Sequence, residues 1–423
     1  MLTTAENELL TRVAPGTPMH ALMSRFWQPI LRSTDLVVNG TPHRVRLLGV
    51  DYVAFRAADG RVGFVDEGCP HRRASLALAR TGDCTLTCLF HGWKIDVEGA
   101  VVNIPSEPPE RSDFMKKVRT NRYHVREAGG IIWAFVGEGE PTPFPGFRFL
   151  SLDPAHVHVI RTPIACNYAQ LVEGLVDSSH VGLLHARLSQ QRAELQVSPP
   201  AAGSERALFQ MPPKAYEVEA RPYGFTAAAI RDVGSGRYFT RLTEFVMPAY
   251  TFIHTSNGER QALFYQSPVD DEHTIQWLVL YDEDRALIPD GTGLGFEVVF
   301  DPATEDFHRR ATVDNLWGQD RAKMAAGHPT GLADNFLFED FALAESQKPI
   351  ADRTSETLAP NDVAIARFRR VVIEAARAQA TGTAPVGLAE PVDYDVLRAQ
   401  ALTYPSTTDW RDAFAATTVA QRT

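Results

Sequence analysis

The stretch CPHRRASLALARTGDCTLTCLFHGW, from Cys69 to Trp93, holds two Cys-then-His pairs in a chain of 423 residues with four cysteines. The spacing is Cys69-x-His71, sixteen residues, then Cys88-x-x-His91. Each pair fits on one turn, so two hairpin tips can face one another. Thiolates and imidazoles together suit zinc or an iron–sulfur cluster. Zinc sites tend to group cysteine with cysteine and histidine with histidine, at longer spacings within each pair. Here each loop supplies one thiolate and one imidazole. A two-iron cluster with two cysteines on one iron and two histidines on the other needs that division. Imidazole is neutral where thiolate is anionic, so such a cluster accepts an electron more readily.

The rest of the composition narrows the setting. A length of 423 residues suggests two or three domains with room for sizeable cores. The hydrophobic share of 44% and the charged share of 22% are those of an ordinary globular protein. A net charge of -10 gives no support to a nucleic-acid partner or an anionic membrane surface. The N-terminus MLTTAENELLTRVAPGTPMH lacks the apolar centre of a signal peptide. No apolar run approaches the ~20 residues of a membrane helix. The expected location is cytoplasmic. There the cysteines Cys69, Cys84, Cys88 and Cys166 stay reduced, as ligands or core thiols.

Outward from the cysteine stretch, the period changes along the chain. AENELLTRV near the N-terminus has roughly helical spacing. From about residue 38 to 138, VRLLGVDYVAFRAADGRVGFVDE, VEGAVVNIP and GGIIWAFVG read as short strands broken by Gly-marked turns. GEGEPTPFPGF (137–147) is the linker candidate. Beyond it the pattern is mixed. A helical stretch covers about 167–185, a hairpin turns at Gly234-Ser235-Gly236, and TIQWLVLYDED is a strand. Helical periodicity returns in 305–326 and in NDVAIARFRRVVIEAARAQ, with Asn361 as the expected N-cap. The Ala/Thr/Pro-rich tail after about 378 is expected to carry little fixed structure.

NYAQLVEGLVDSSHVGLLH (167–185) carries the second constellation. Asn167 with Gln170 resembles a helix N-terminal capping pair. Glu173, Asp177 and His180 follow at helical intervals on one face. His180 and His185 are five residues apart, roughly 140° around an ideal helix. Both rings meet one atom only if the helix widens or breaks between them. Two histidines and one carboxylate form the facial triad of non-haem Fe(II) oxygenases, with positions left open. The alternative is a polar helix face with two ordinary histidines.

His71 is followed by Arg72-Arg73, and His91 by Gly92-Trp93. With these residues the segment resembles the Rieske domain of ring-hydroxylating oxygenases. Asp177-x-x-His180-x-x-x-x-His185 resembles the iron motif of the same family. CPHRRASL, CLFHGWKIDVEG, NIPSEP and NYAQLVEGLVDSSHVGLLH look like its phthalate dioxygenase group, and the likeness runs from LLTRVAPGTPMHALMSRFWQP to the ARFRR helix. Respiratory-type Rieske proteins carry an additional cysteine in each loop. Here Arg72, Arg73, Leu89 and Phe90 occupy those places, which implies a low-potential cluster and leaves Cys84 a loop or core thiol.

The resemblance implies an α+β fold. Residues 1–37 would be a helical segment packing on the catalytic domain, 38–145 an all-β Rieske [2Fe-2S] domain, and 146–423 a helix-grip catalytic domain with an antiparallel sheet and flanking helices. It implies one Rieske [2Fe-2S] cluster on Cys69, His71, Cys88 and His91, and one mononuclear Fe(II) on His180, His185 and a distant carboxylate. Asp334, Glu339, Asp340 and Glu345 are the candidates for that third ligand. Asp340, upstream of Glu345-Ser346-Gln347, is preferred and Glu339 is the fallback. Asp177 and Asn167 are the candidates for a catalytic role outside the ligand sets. In a head-to-tail trimer, alone or stacked into a hexamer, Asp177 would bridge His180 to His91 of a neighbour.

No nucleotide-phosphate fingerprint and no plant-type ferredoxin motif stand in the chain. A separate reductase is therefore expected, and the resemblance to the phthalate dioxygenase group implies that it carries flavin and a plant-type [2Fe-2S] ferredoxin domain. The resemblance implies cis-dihydroxylation by O2 of an aromatic carboxylate: a phthalate isomer, a phenoxybenzoate or a substituted benzoate. Arg206 and Arg241 are the candidate carboxylate forks, each otherwise a surface charge. Phe245, Phe252 and Phe264 read equally as pocket or core. Monooxygenation with O-demethylation of methoxybenzoates is the alternative, and a stand-alone electron carrier is disfavoured by the second histidine motif.

Overall fold

A computed structural model of the chain describes residues 1–108, 112–186, 208, 211–254, 260–287, 310–333 and 335–421. Arg206 and Asp334 lie outside the described residues. The chain forms two compact units. One is Arg12–Gly146 with Ser267–Asp271; the other is Met1–Thr11 with Phe147–Gln266 and Glu272–Thr423. Of the N-terminal segment expected to pack on the catalytic unit, only Met1–Thr11 groups with it, as helix α1 (Thr4–Thr11). The remainder belongs to the other unit because its chain enters a sheet there.

That unit begins with α2 (Pro18–Met23), capped by Thr17, whose side chain accepts from the His20 N–H. Strands β1 (Gln28–Arg32), β2 (His43–Leu47), β3 (Val50–Arg56), β4 (Val62–Asp66), β5 (Arg80–Gly82), β6 (Thr85–Thr87), β7 (Lys94–Asp96) and β8 (Val101–Asn103) follow. Helix α3 (Ser112–Met115) precedes β9 (His124–Ala128) and β10 (Ile131–Phe135). They pair as three small sheets, β1-β10-β9, β2-β3-β4 and β5-β6-β7-β8. In β2, HRVRL turns Val45 and Leu47 inward and Arg44 and Arg46 outward, the alternation of a half-buried strand. Val53, Phe55, Leu76, Leu86 and Ile95 form the core beneath the two cysteine loops. Each such side chain contributes about 1.5–3 kcal/mol on burial.

The other unit is built on β11 (Val157–Ile164), α4 (Tyr168–Val176), α5 (Val181–Leu184), β12 (Ala215–Arg221), β13 (Gly224–Gly234), β14 (Arg237–Val246), β15 (Tyr250–His254), β16 (Gln261–Pro268) and β17 (Thr274–Tyr281). Then come α6 (Arg321–Ala325), α7 (Phe336–Ser346), α8 (Val363–Ala380), β18 (Ala401–Pro405) and α9 (Trp410–Gln421). The described strands make one antiparallel sheet in the order β11-β17-β16-β15-β14-β13-β12, with β18 pairing β14. The hairpin at Gly234-Ser235-Gly236 joins β13 to β14, all three residues having positive φ.

Three expectations are corrected. The described part of 305–326 is not one helix: Leu316 and Trp317 adopt φ of 51° and 52°, which ends a short turn before α6 starts on its Asp320 cap. Asp362, not Asn361, is the N-cap of α8, because Pro360–Asp362 forms a preceding turn. The described part of the tail carries fixed structure: Leu402 and Tyr404 of β18 and Trp410 and Phe414 of α9 pack on Leu242, Ala228 and Ile230. Phe245 is core, stacked on Phe225 and edge-on to Phe368. Phe252 packs on Phe147, and Phe264 joins the cluster of α7 residues Leu337 and Phe341.

Alternation along β14 sends Arg241, Thr243 and Phe245 to one face and Thr240, Leu242 and Glu244 to the other. Glu244 is buried, and one of its oxygens accepts from both Tyr223 and Thr226 hydroxyls at 2.7 Å. Burial raises its pKa to about 7, against the pull of Tyr223, Thr226 and Arg221. The unfolded chain releases this proton near the ordinary glutamate value of 4.5, whereas the folded chain keeps it to about 7. Stability is therefore lost as pH rises through that window, by about 3 kcal/mol at most. Glu244→Gln is expected to flatten the fall in melting temperature between pH 5 and pH 8. Identical pH slopes for variant and parent would show that Glu244 ionises normally in the folded protein.

Candidate metal centres and active site

The two cysteine loops share one backbone pattern. The Cys69 N–H donates to Ala74 O at 2.8 Å, and its carbonyl accepts from Arg73 N at 2.9 Å. The Cys88 N–H donates to Trp93 O and its carbonyl accepts from Gly92 N, both at 2.9 Å. Arg73 (φ 60°) and Gly92 (φ 74°) take left-handed backbone at the matching position. Glycine does so without strain; an arginine there is held by its loop. The Arg73 guanidinium donates to Gly68 O at 3.2 Å.

These loops bury both thiols and set both imidazoles outward. Cys69 and Cys88 are 1% and 3% exposed, while His71 is exposed and His91 half-buried. The His71 and His91 rings meet edge-on at 4.5 Å, and Trp93 stacks on His71 with planes 3° apart at 4.6 Å. Among the described residues, the group of three or more His, Cys, Asp or Glu donors that converges within 4.8 Å lies elsewhere in the chain. Two buried thiols on one side and two neighbouring outward imidazoles on the other suit a two-iron cluster better than a single zinc ion. His91 Nδ1 is buried without a hydrogen-bond partner, a deficit that a metal bond would satisfy.

The converging group is His180, His185 and Asp340. The break expected between the histidines is present: α4 stops at Val176, Asp177 leaves it in an extended conformation, and α5 runs only from Val181 to Leu184. His180 and His185 flank α5 as its two caps. Their Nε2 atoms lie 3.6 and 3.1 Å from one oxygen of Asp340, on α7. Donors about 2.1 Å from one ion at right angles stand about 3 Å apart, so the three fit one face of an octahedron. Burial disfavours a charged His185, but Asp340 and Glu339 outweigh it and raise its pKa to about 9. Displacing that proton is what a bound cation does.

The other candidates separate clearly. Glu339 does not join Asp340; it sits behind His185, with its Oε2 2.9 Å from Nδ1. Glu345 accepts from Ala165 N and Trp317 Nε1. Asp177 Oδ1 accepts from Ser179 N at 2.6 Å, and its Oδ2 is 3.3 Å from His180 Nδ1. Asn167 is not at the site: its side chain caps Ala169 N and donates to Thr11 O. Ten residues of helical rise, about 15 Å, separate it from Asp177.

Arg241 is buried near the iron-site loop. It donates to Ser178 Oγ at 3.2 Å and to His254 O at 3.4 Å. Arg231, unremarked in the sequence reading, donates to Ser178 Oγ at 3.1 Å and to Ser178 O at 3.3 Å. Burial, then repulsion from Arg231, lowers the Arg241 pKa to about 10. Burial and Arg241 lower that of His254 to about 4. The period-two pattern of β13 and β14 is the signal that places Arg231 and Arg241 on one face.

Comparison with known proteins agrees with this construction. Residues 26–123 match the model of the Rieske [2Fe-2S] domain, and residues 134–423 that of the "LigXa C-terminal domain like" family. The chain is 36% identical over 430 residues to the phthalate 4,5-dioxygenase oxygenase subunit of Pseudomonas putida, covering 97% of this chain and 94% of that one. It is 33% identical to the 3-chlorobenzoate-3,4-dioxygenase oxygenase subunit of Comamonas testosteroni, with 98% of both chains covered. The terminal oxygenase of carbazole 1,9a-dioxygenase from Nocardioides aromaticivorans IC177 superposes with a TM-score of 0.58 at 17% identity, over 88% of this chain and 99% of that one. The chain belongs to the Rieske non-haem iron ring-hydroxylating oxygenases, as an α subunit of the phthalate dioxygenase-like group. It is an oxygenase component with one Rieske [2Fe-2S] cluster and one mononuclear iron, in an α+β fold. No described helix is long and apolar enough to cross a membrane.

Proposed function

We propose that this oxygenase cis-dihydroxylates an aromatic carboxylate, a phthalate isomer, phenoxybenzoate or substituted benzoate, held by Arg241 beside the His180, His185 and Asp340 site. Cys69, His71, Cys88 and His91 would hold the cluster. When bound, the cluster supplies electrons singly and the iron activates dioxygen. The residues of the chain do the rest. Arg241 places a cation on the sheet face behind Ser178, one residue from Asp177. Two buried guanidiniums sharing one serine hydroxyl form a site whose charge favours an anion. This pair is the observation that carries the reading, and it agrees with the acids named for the two relatives. Asp177 orients His180 through its Nδ1.

Electrons would come from a reductase with flavin and a plant-type ferredoxin domain. A head-to-tail trimer, alone or stacked, is supported by Leu89 and Phe90. They are 57% and 56% exposed beside His91, an apolar surface of the kind subunits cover.

A single turnover tests the reading. The protein is reduced chemically, the reductant removed, and oxygen added with benzoates, phthalate isomers and phenoxybenzoates. A product gaining two oxygens and two hydrogens supports it. Formaldehyde from a methoxybenzoate without a diol would favour O-demethylation. Arg241→Met is expected to raise KM for the acid roughly 10- to 100-fold, the worth of a hydrogen bond to a charged group. An unchanged KM at unchanged melting temperature would remove Arg241 from the carboxylate site.

A further inference from the structure

The two histidines of the iron site are supported differently. His180 leans on Asp177, whose side chain is 21% exposed, at 3.3 Å. His185 leans on Glu339, 3% exposed, at 2.9 Å. Glu339 and Asp340 are consecutive on α7, so their side chains leave the helix about 100° apart. One carboxyl reaches Nδ1 of the His185 ring and the next reaches the region of Nε2. The ring is gripped at both nitrogens by neighbours in sequence.

Glu339 is itself held. Its second oxygen accepts from the Thr330 hydroxyl at 2.8 Å. The Thr330 oxygen accepts in turn from Leu332 N at 3.2 Å. The turn that presents Thr330 is closed by His328 Nδ1, which accepts from Gly331 N at 2.8 Å. Gly331 is at φ 68°, and a Cβ there would lie 2.5 Å from Asp320 O, so the turn has no room for another residue.

We infer that Glu339, set by Thr330, is a positioning residue that fixes the orientation and Nε2-facing tautomer of His185, and so tunes the affinity of the site for divalent metal. A carboxyl oxygen facing Nδ1 requires the proton on that nitrogen and leaves Nε2 a lone pair to donate. The inference rests on reading His180, His185 and Asp340 as the iron site. It adds that His185 is the fixed corner of the triad.

The test is titration of the cluster-loaded, iron-depleted protein with Co(II) and with Fe(II), following affinity and the Co(II) visible spectrum. Glu339→Leu is expected to weaken binding about 100-fold. Glu339→Gln, which keeps an acceptor, and Thr330→Val should each weaken it about 10-fold, the range for partners of ligand histidines. Melting temperature and cluster absorbance are read alongside. Weakening by Glu339→Leu that neither Thr330→Val reproduces nor Glu339→Gln partly restores would indicate general loosening and overturn the inference. Parental affinity and spectrum in Glu339→Leu would overturn it too. Asp340→Ala is the control. If it still binds the metal with parental affinity, the iron-site reading itself fails, an outcome distinct from failure at Glu339 alone.

Discussion

Asp340→Ala is expected to cost the protein its mononuclear iron while leaving the Rieske cluster in place. One of three donors on the triad face disappears, and both histidines keep their places on the caps of α5. The metal contributes several kcal/mol to the transition state, so turnover should fall by about three orders of magnitude or more. Iron and acid-labile sulfide are measured together. Parent protein should hold about three irons per two sulfides, and the variant about two per two. Retention of the third iron would mean that another carboxylate ligates, and Glu339 would be the first to examine.

The second large effect concerns stability. Glu173 lies on α4, one turn before Asp177, and is 8% exposed. It accepts from Arg353 at 2.7 and 3.0 Å and from Arg369 at 2.7 Å. Arg369 also pairs with Glu356, and Arg353 reaches Asn7 on α1. Burial pushes the Glu173 carboxyl up, but Arg353 and Arg369 outweigh it and hold it below the usual range. Glu173→Gln leaves two buried guanidiniums short of a counter-charge and should cost about 3–5 kcal/mol. A melting-temperature loss on the order of 10 °C is expected. Glu173→Met combined with Arg353→Met removes both charges, and Arg369 keeps Glu356. That double variant should recover most of the loss. Equal melting temperatures for Glu173→Gln and the parent would show that the network carries no net stability.

What the sequence disclosed follows from distance along the chain. The candidate cluster donors fall in two loops sixteen residues apart, and the pattern of each loop is local. His180 and His185 were legible for the same reason, as was the break in the helix between them, because 140° cannot converge on one ion. Asp340 is 155 positions after His185, and four acidic residues competed for its role. Only the packing of α7 against α4 and α5 distinguishes Asp340, facing both Nε2 atoms, from Glu339, facing Nδ1. Asn167 carried two readings in the sequence, a helix cap and a catalytic group, and its side chain is the cap of α4. Arg231 and Ser178 meet across β13 and the end of α4, a contact no local pattern contains. The ordered tail was missed because β18 draws its order from β14, more than 150 residues earlier.

The matched cysteine loops carry one more consequence. In each, amides and carbonyls of the main chain fix where the donors stand. The electrical character of the centre is then a property of a few side chains and their surroundings. Exchanging imidazole for thiolate at the two tips separates Rieske clusters from plant-type ones by roughly several hundred millivolts. A scaffold of this kind can therefore be retuned across that range by replacing donors in a fixed socket, with the main-chain architecture of both loops inherited unchanged.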